Sequence, residues 1–146
     1  MALPVHAIKL LAPYIRNAKV LCLGYPDLAC TPGWLEKHFD IQITKTTENG
    51  KRHFLDFELP ESVHFFKQIG SELTCIDFAS DMGVERIANL NFPHSFGEFD
   101  VVIDPGTLEH CFNIGTAWKN AFDSVKPNGV IFHLSPMTMV NHGFFN

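Results

Sequence analysis

The residues best suited to chemistry follow an apolar run in the second half of the chain. Residues 104–110 read Asp-Pro-Gly-Thr-Leu-Glu-His. A histidine beside acids and a flexible glycine can act as a base near neutral pH, so His110 and Glu109 are the predicted catalytic residues. An alternative stays open, in which Asp104 or Thr107 caps a short helix and His110 hydrogen-bonds a neighbouring loop.

Two further positions end apolar runs that are typical of buried strands. Gly24 follows Lys19–Leu23 and would allow a ligand to approach the backbone closely, although many such turns carry a glycine for steric reasons alone. Asp77 ends a second run, and a carboxylate at the tip of a strand can accept hydrogen bonds from both hydroxyls of a ribose. The alternative for Asp77 is a helix N-cap or a solvated loop acid.

Several common catalytic motifs are absent from the sequence. It contains no Gly-x-Ser-x-Gly nucleophile elbow and no phosphate-binding Gly-x4-Gly-Lys-Ser/Thr loop. The lack of a Gly-x-Gly-x-x-Gly turn argues against a dinucleotide-dependent oxidoreductase. None of the four cysteines lies in a Cys-x-x-Cys pair, so no metal site is predicted. His133 lies in an apolar run and is interpreted as a hydrogen-bonded core histidine rather than a catalyst, while Asn141–Gly143 is either the edge of a substrate pocket or a chain-end loop.

Composition and charge indicate the number of domains and the kinds of partner that this protein can have. The chain has 146 residues, of which 46% are hydrophobic and 18% charged, and this predicts one globular domain over 1–146. The net charge of −5, with one tight basic cluster at 51–53, argues against nucleic acid as a partner. No apolar stretch reaches membrane-spanning length, and the N-terminus lacks a signal-peptide pattern. We therefore expect a cytoplasmic protein with reduced thiols and no membrane partner.

Apolar runs alternate with helical spacings, which predicts an α/β fold with a mainly parallel sheet. The predicted strands are 19–24, 73–78, 84–90, 99–103 and 130–134. The predicted helices are 5–17, kinked at Pro13, then 60–70, opened by Pro60 and stopped by Gly70, and 117–125.

The segment 31–59 is predicted to be a β-hairpin insert. Trp34, Leu35 and Phe39 indicate one or two helical turns at its start. The alternating residues 41–43 and the segment 52–57 would be its two strands, joined by the turn signal at 48–51.

These pieces, in this order, resemble a class I S-adenosylmethionine-dependent methyltransferase. The resemblance covers about residues 19–134 apart from the insert. The matching segments are 20–24 (first strand and its turn), 73–77 (second strand with the ribose acid), 85–91 (third strand and adenine loop), 99–104 with Leu108-Glu109-His110 (fourth strand and its following segment) and 125–129 (Val-Lys-Pro-Asn-Gly, the turn before the fifth strand).

The resemblance implies a Rossmann-like three-layer sandwich that binds S-adenosylmethionine and methylates a small-molecule or sugar acceptor. It implies that the cofactor contacts fall in four groups: Gly24, Tyr25 and Asp27 near the methionine moiety, Asp77 and Phe78 at the ribose, Asn89, Leu90 and Asn91 at the adenine, and Asp104, Pro105 and Gly106 at the methyl-donor pocket. His110, with His142 as second choice, would deprotonate the acceptor.

The chain departs from the family's pattern at two places. Cys22 stands where the first motif has an acid, and Pro26 and Leu28 stand where it has glycines. The family's sixth and seventh strands are also missing after residue 134. We therefore expect one of three explanations: a second copy or the segment 137–146 covers strand 130–134, the chain is a fragment, or the domain is C-terminally truncated. These departures favour the alternative function, a non-catalytic Rossmann-like binding or scaffold module.

Overall fold

The structure is a computed structural model that describes residues 2–48 and 55–136. Its helices are α1 (Val5–Leu11), α2 (Pro32–Phe39), α3 (Ser62–Gln68) and α4 (Ile114–Asp123), with a short 3₁₀-helix at Leu108–His110. Its strands are β1 (Ala2–Pro4), β2 (Lys19–Leu23), β3 (Asp27–Ala29), β4 (Thr46–Thr47), β5 (Leu59–Pro60), β6 (Glu72–Asp77), β7 (Arg86–Ile87), β8 (Phe99–Asp104) and β9 (Val125–His133). The expectations for residues 49–54, for Asn141–Gly143 and for the segment 137–146 lie outside the described residues.

Five of these strands form one sheet in the order β7-β6-β2-β8-β9, and every neighbouring pair is parallel. Cys22 is the central register position, because it pairs with Cys75 on one side and with Ile103 on the other. Uninterrupted apolar runs suit such strands, since both faces of a parallel sheet are covered. The predicted α/β class with a parallel sheet is confirmed.

The two faces of the sheet carry separate apolar cores. Along β2, Val20 and Cys22 belong to the core under α1, α2 and α3, while Leu21 and Leu23 belong to the core under α4. Alternate side chains of a strand point to opposite faces, so one short run contributes to both cores. This arrangement fixes β2 at the centre of the molecule.

Two predicted helices are shorter than expected. The first ends at Leu11 rather than Asn17, because Pro13 cannot donate a backbone hydrogen bond to continue it. The third helix of the chain begins at Ser62, since the Glu61 side chain accepts the first free amides, whereas Pro60 belongs to β5. Gly70, with φ +78°, follows the end of this helix as predicted.

The predicted insert is only partly a hairpin. Its helix α2 is confirmed, with Thr31 accepting a hydrogen bond from the amide of Trp34. An antiparallel pair follows, but it joins β4 to β5. The prediction of strands at 41–43 and 52–57 is wrong for the residues described, because 41–45 and 55–57 are irregular.

Three other predictions need correction. The strand predicted at 84–90 is reduced to the two exposed residues of β7. Val125 belongs to β9 rather than to the preceding helix, and 126–129 is an irregularity within that strand rather than a turn before it. The sequence also did not predict the short parallel pair of β1 with β3.

Candidate functional site

The carboxyl ends of the parallel strands meet at one edge of the sheet, and a cavity of about 370 Å³ opens there. Its walls come from the end of β6, the segment after β7 and the 3₁₀ segment after β8. The lining residues are Ile76, Asp77, Phe78, Ala88, Asn89, Leu90, Asn91, Thr107, His110 and Cys111. Ligands of open α/β sheets bind at this edge, so the cavity is the candidate site.

The cavity brings together six residues that were predicted from separate stretches of sequence. They are Asp77, Phe78, Asn89, Leu90, Asn91 and His110. The other predicted residues do not line it, and these are Gly24, Tyr25, Asp27, Asp104, Pro105, Gly106 and Glu109. Ile76, Ala88, Thr107 and Cys111 were missed as lining residues, although Thr107 lies within the segment 104–110 and Cys111 directly follows it.

Asp77 is half-buried at the end of β6, where the strand stops pairing with β7. Its Oδ1 accepts a hydrogen bond from the amide of Phe78 at 2.6 Å. Within residues 2–48 and 55–136, Oδ2 has no hydrogen-bond partner, so this oxygen can accept one from a ligand hydroxyl. The Phe78 ring beside it is 73% exposed and offers an apolar wall.

The segment that follows β7 is hydrogen-bonded to one buried side chain, that of Asn120 in α4. Its Nδ2 donates to the carbonyl oxygens of Leu90 (3.1 Å) and Phe92 (2.9 Å), and its Oδ1 accepts from the amide of His94 (2.9 Å). Asn91 is fixed from another side, since its Oδ1 accepts from the amide of Asn113 at 2.7 Å. These bonds give the cavity a defined wall in a segment without regular secondary structure.

Asp104 shapes the opposite wall although it does not line the cavity. Its fully buried carboxylate accepts at Oδ1 from the amides of Gly106 (3.3 Å), Thr107 (2.7 Å) and Leu108 (3.3 Å). Asp104 therefore holds the turn that leads into the short 3₁₀-helix, whose N-cap residue is Thr107. This agrees with the structural role that the sequence left open for Asp104. The Thr107 hydroxyl donates to the Leu23 carbonyl and ties this turn to the end of β2.

His133 was interpreted as a hydrogen-bonded core histidine, and that interpretation is right about the strand and the hydrogen bond but wrong about burial. Its side chain is 35% exposed, and its Nδ1 lies 2.5 Å from Oδ2 of Asp104 on the neighbouring strand. The ring also contacts that of Trp118, with 4.9 Å between centroids. The sequence contained no signal for this pair, because it depends on the register of β8 with β9.

The two predicted catalytic residues face different surroundings. His110 is exposed and lines the cavity. Glu109 is buried next to Gly106, because a Cβ added to Gly106 would lie 3.0 Å from Oε1 of Glu109. The next residue, Cys111, lines the cavity as a thiol whose pKa burial raises to about 11, with the charges of Asp104 and Glu109 adding to the shift. Cys111 is therefore protonated at neutral pH and is a poor nucleophile.

In the turn that follows β2, the polar groups form hydrogen bonds within the protein. The Tyr25 hydroxyl donates to Glu61 at 2.8 Å and accepts from the amide of Ser62 at 3.1 Å. Burial, together with the bond to Glu61, raises the pKa of Tyr25 well above its usual value. The amide of Gly24 (φ +94°) donates to the Ile76 carbonyl at 2.6 Å, and Asp27 is buried in β3.

Comparison of the chain with protein-family models, with curated proteins and with solved structures gives no match in any of the three. No group of His, Cys, Asp or Glu in the described ranges has the arrangement of a metal site. Across the same residues, no helix has the length and apolarity needed to cross a membrane. The function is therefore inferred from the residues and geometry of the cavity.

Proposed function

We propose that this protein is an S-adenosylmethionine-dependent methyltransferase with a Rossmann-like fold and a small-molecule or sugar acceptor. One observation carries the proposal: three separate segments (Asp77–Phe78, Asn89–Asn91 and the turn bearing His110) line a single cavity at the carboxyl edge of the sheet. The strand order β7-β6-β2-β8-β9 supports it, because doubly wound folds bind nucleotides where the order of strands reverses, here between β2 and β8.

The size and lining of the cavity support binding of the nucleoside part of the cofactor. Its volume lies within the range of about 300–1,000 Å³ that small-ligand pockets occupy. Asp77 would hold the ribose hydroxyls, because its Oδ2 has no other hydrogen-bond partner among the described residues. Phe78 and Leu90 would flank the base with apolar surface, while Asn89 and Asn91 offer polar groups for its edge.

The cofactor supplies a methyl group that is already activated on a sulfonium, so the chain's own task is orientation and exclusion of water. The wall fixed by Asn120 and the turn fixed by Asp104 provide rigid supports for this task. His110 is the cavity residue that can exchange a proton with an acceptor.

The alternative is a non-catalytic module that binds a nucleoside, and the first turn favours it. The Gly24 amide is bonded to Ile76, Tyr25 to Glu61, and the Leu23 carbonyl to Thr107. These groups stand where the methionine moiety would need partners. A ligand could then be held by its nucleoside part alone.

Calorimetric titration with S-adenosylhomocysteine and with adenosine tests both functions. We compare the wild type with Asp77→Asn, which keeps the side chain's shape but removes its charge. The matched control is Glu72→Ala, because Glu72 is exposed at the other end of the same strand. Binding to the wild type and the control, with at least about a tenfold loss in Asp77→Asn, is the expected result.

The ratio of the two ligands separates the functions. A methyltransferase contacts the amino-acid part, so S-adenosylhomocysteine should bind at least about tenfold more tightly than adenosine. Equal affinities would support the non-catalytic module. If neither ligand binds at millimolar concentration, the proposed cavity assignment is wrong.

A further inference from the structure

The pair formed by Asp104 and His133 is the feature that the site described above leaves unused. Asp104 is fully buried at the end of β8, and His133 is its register partner at the end of β9. The distance from Oδ2 to Nδ1 is 2.5 Å, while Oδ1 is held by the amides of Gly106, Thr107 and Leu108. The carboxylate therefore cannot turn away from the imidazole.

This geometry favours one tautomer of the imidazole. A carboxylate only accepts hydrogen bonds, so Nδ1 of His133 would be the donor in this pair. The lone pair of the ring would then lie on Nε2, on a side chain that is 35% exposed. Trp118 packs against the ring and limits its rotation. A buried carboxylate that orients a histidine in this way is the arrangement that makes a histidine an effective base.

We propose that His133 is the general base for the methyl acceptor, that Asp104 is its positioning residue, and that the acceptor binds above the ends of β8 and β9. This inference rests on the proposed methyl transfer. It moves the role of acceptor base from His110 to His133 and separates two parts of the site. The cavity, which His110 lines, would hold the cofactor, and His133, which does not line that cavity, would serve the acceptor. The turn held by Asp104 connects the two parts.

The step balances with an acceptor hydroxyl. Its proton passes to Nε2 of His133 as the bond between oxygen and methyl carbon forms. The bond between that carbon and the sulfonium sulfur breaks, and its electron pair stays on the sulfur as a neutral thioether. The imidazolium that results is stabilised by the Asp104 carboxylate until the proton passes to water.

The first test needs neither acceptor nor cofactor. A long-range ¹H–¹⁵N correlation spectrum of the wild type at about pH 7.5 reports which nitrogen of His133 is protonated. Protonation of Nδ1 with a bare Nε2 is the expected result. The opposite tautomer would overturn the proposal without any substitution.

The second test measures the reactivity of Nε2 with diethyl pyrocarbonate, followed by mass spectrometry of each histidine. Asp104→Asn should lower the rate at His133 by about threefold or more, because the charged hydrogen-bond partner is lost. His6, exposed on α1, is the internal reference and should react at an unchanged rate. An unchanged rate at His133 in a folded Asp104→Asn variant would show that the pair only anchors β9.

The failure of this inference can be distinguished from failure of the proposed function. His133→Gln should bind S-adenosylhomocysteine as tightly as the wild type, since His133 lies outside the cavity wall. A loss of binding in that variant would contradict the division of the site into two parts. Absence of binding in the wild type would instead refute the methyltransferase function, whatever the two measurements on His133 give.

Discussion

Replacing Asn120 by alanine should remove the support of the cavity wall and destabilise the whole domain. The substitution deletes three side-chain hydrogen bonds of 2.9–3.1 Å, to Leu90, Phe92 and His94, at a position that is 2% exposed. At about 1 kcal/mol of net stabilisation for each bond, the free energy of unfolding should fall by about 3 kcal/mol. For a domain of this size, that corresponds to a decrease in Tm of roughly 10 °C.

Urea unfolding followed by tryptophan fluorescence measures this change, because Trp118 lies on the same helix as Asn120. The control is Lys119→Ala, the adjacent residue, whose exposed ion pair with Asp123 should contribute less than about 0.5 kcal/mol. A loss below about 1.5 kcal/mol in Asn120→Ala, with an unchanged m-value, would refute the reasoning, since three bonds at the weak end of the range, about 0.5 kcal/mol each, already amount to that loss.

Two further predictions concern glycine packing and pH. Gly129→Ala should lower the free energy of unfolding by about 2 kcal/mol in the same urea assay, because the added Cβ would lie 2.9 Å from the Asp100 carbonyl oxygen. The control is Gly115→Ala, which has no atom within 4 Å of the added Cβ and should stabilise α4 by about 0.5 kcal/mol. Equal effects of the two substitutions would contradict the packing argument. Burial raises the pKa of Glu85, but hydrogen bonds from the backbone of its loop and from Ser80 outweigh burial and leave the pKa below its ordinary value of about 4.5. The ionised form therefore stabilises the fold above about pH 4.5, and this contribution is lost as the pH falls through the lowered pKa. Unfolding measured from about pH 7 to pH 3 should show a smaller acid-induced loss for Glu85→Gln than for the wild type, and identical profiles would contradict this assignment.

The central strands could be predicted because their apolar runs are continuous. Both faces of Val20–Leu23 and Val101–Ile103 are buried. A continuous apolar run of this length is typical of a central strand of a parallel sheet, because helices cover both of its faces. The order of the segments also predicted which polar residues meet, since the ends of parallel strands share one edge. For that reason Asp77, Asn89 and His110 lie around the same cavity.

The remaining features depend on contacts that no local pattern encodes. The run from Val84 to Leu90 resembles a strand, but only Arg86 and Ile87 pair with β6, which ends at Asp77 opposite Ile87. Before these two residues, the Glu85 side chain accepts hydrogen bonds from the amides of Met82 and Val84, and Val84 is 50% exposed. Tyr25 was expected at the cofactor, but its ring is buried and its hydroxyl is bonded to Glu61, a residue far along the chain. The pairing of Asp104 with His133 likewise depends on the register between β8 and β9, which are far apart in the sequence.

The irregular start of β9 limits how this molecule could polymerise. Residues 126–129 interrupt the pairing with β8, Pro127 has no amide hydrogen to donate, and Asn128 has φ +66°. On the described part of the outer edge, only Val130–His133, about 13 Å long, can pair regularly with another strand. At the opposite edge of the sheet, β7 has two residues. A second copy is one of the explanations considered above for the covering of strand 130–134. If two copies did associate through β9, each would use this edge, and growth would stop at a closed dimer rather than continue into a fibre.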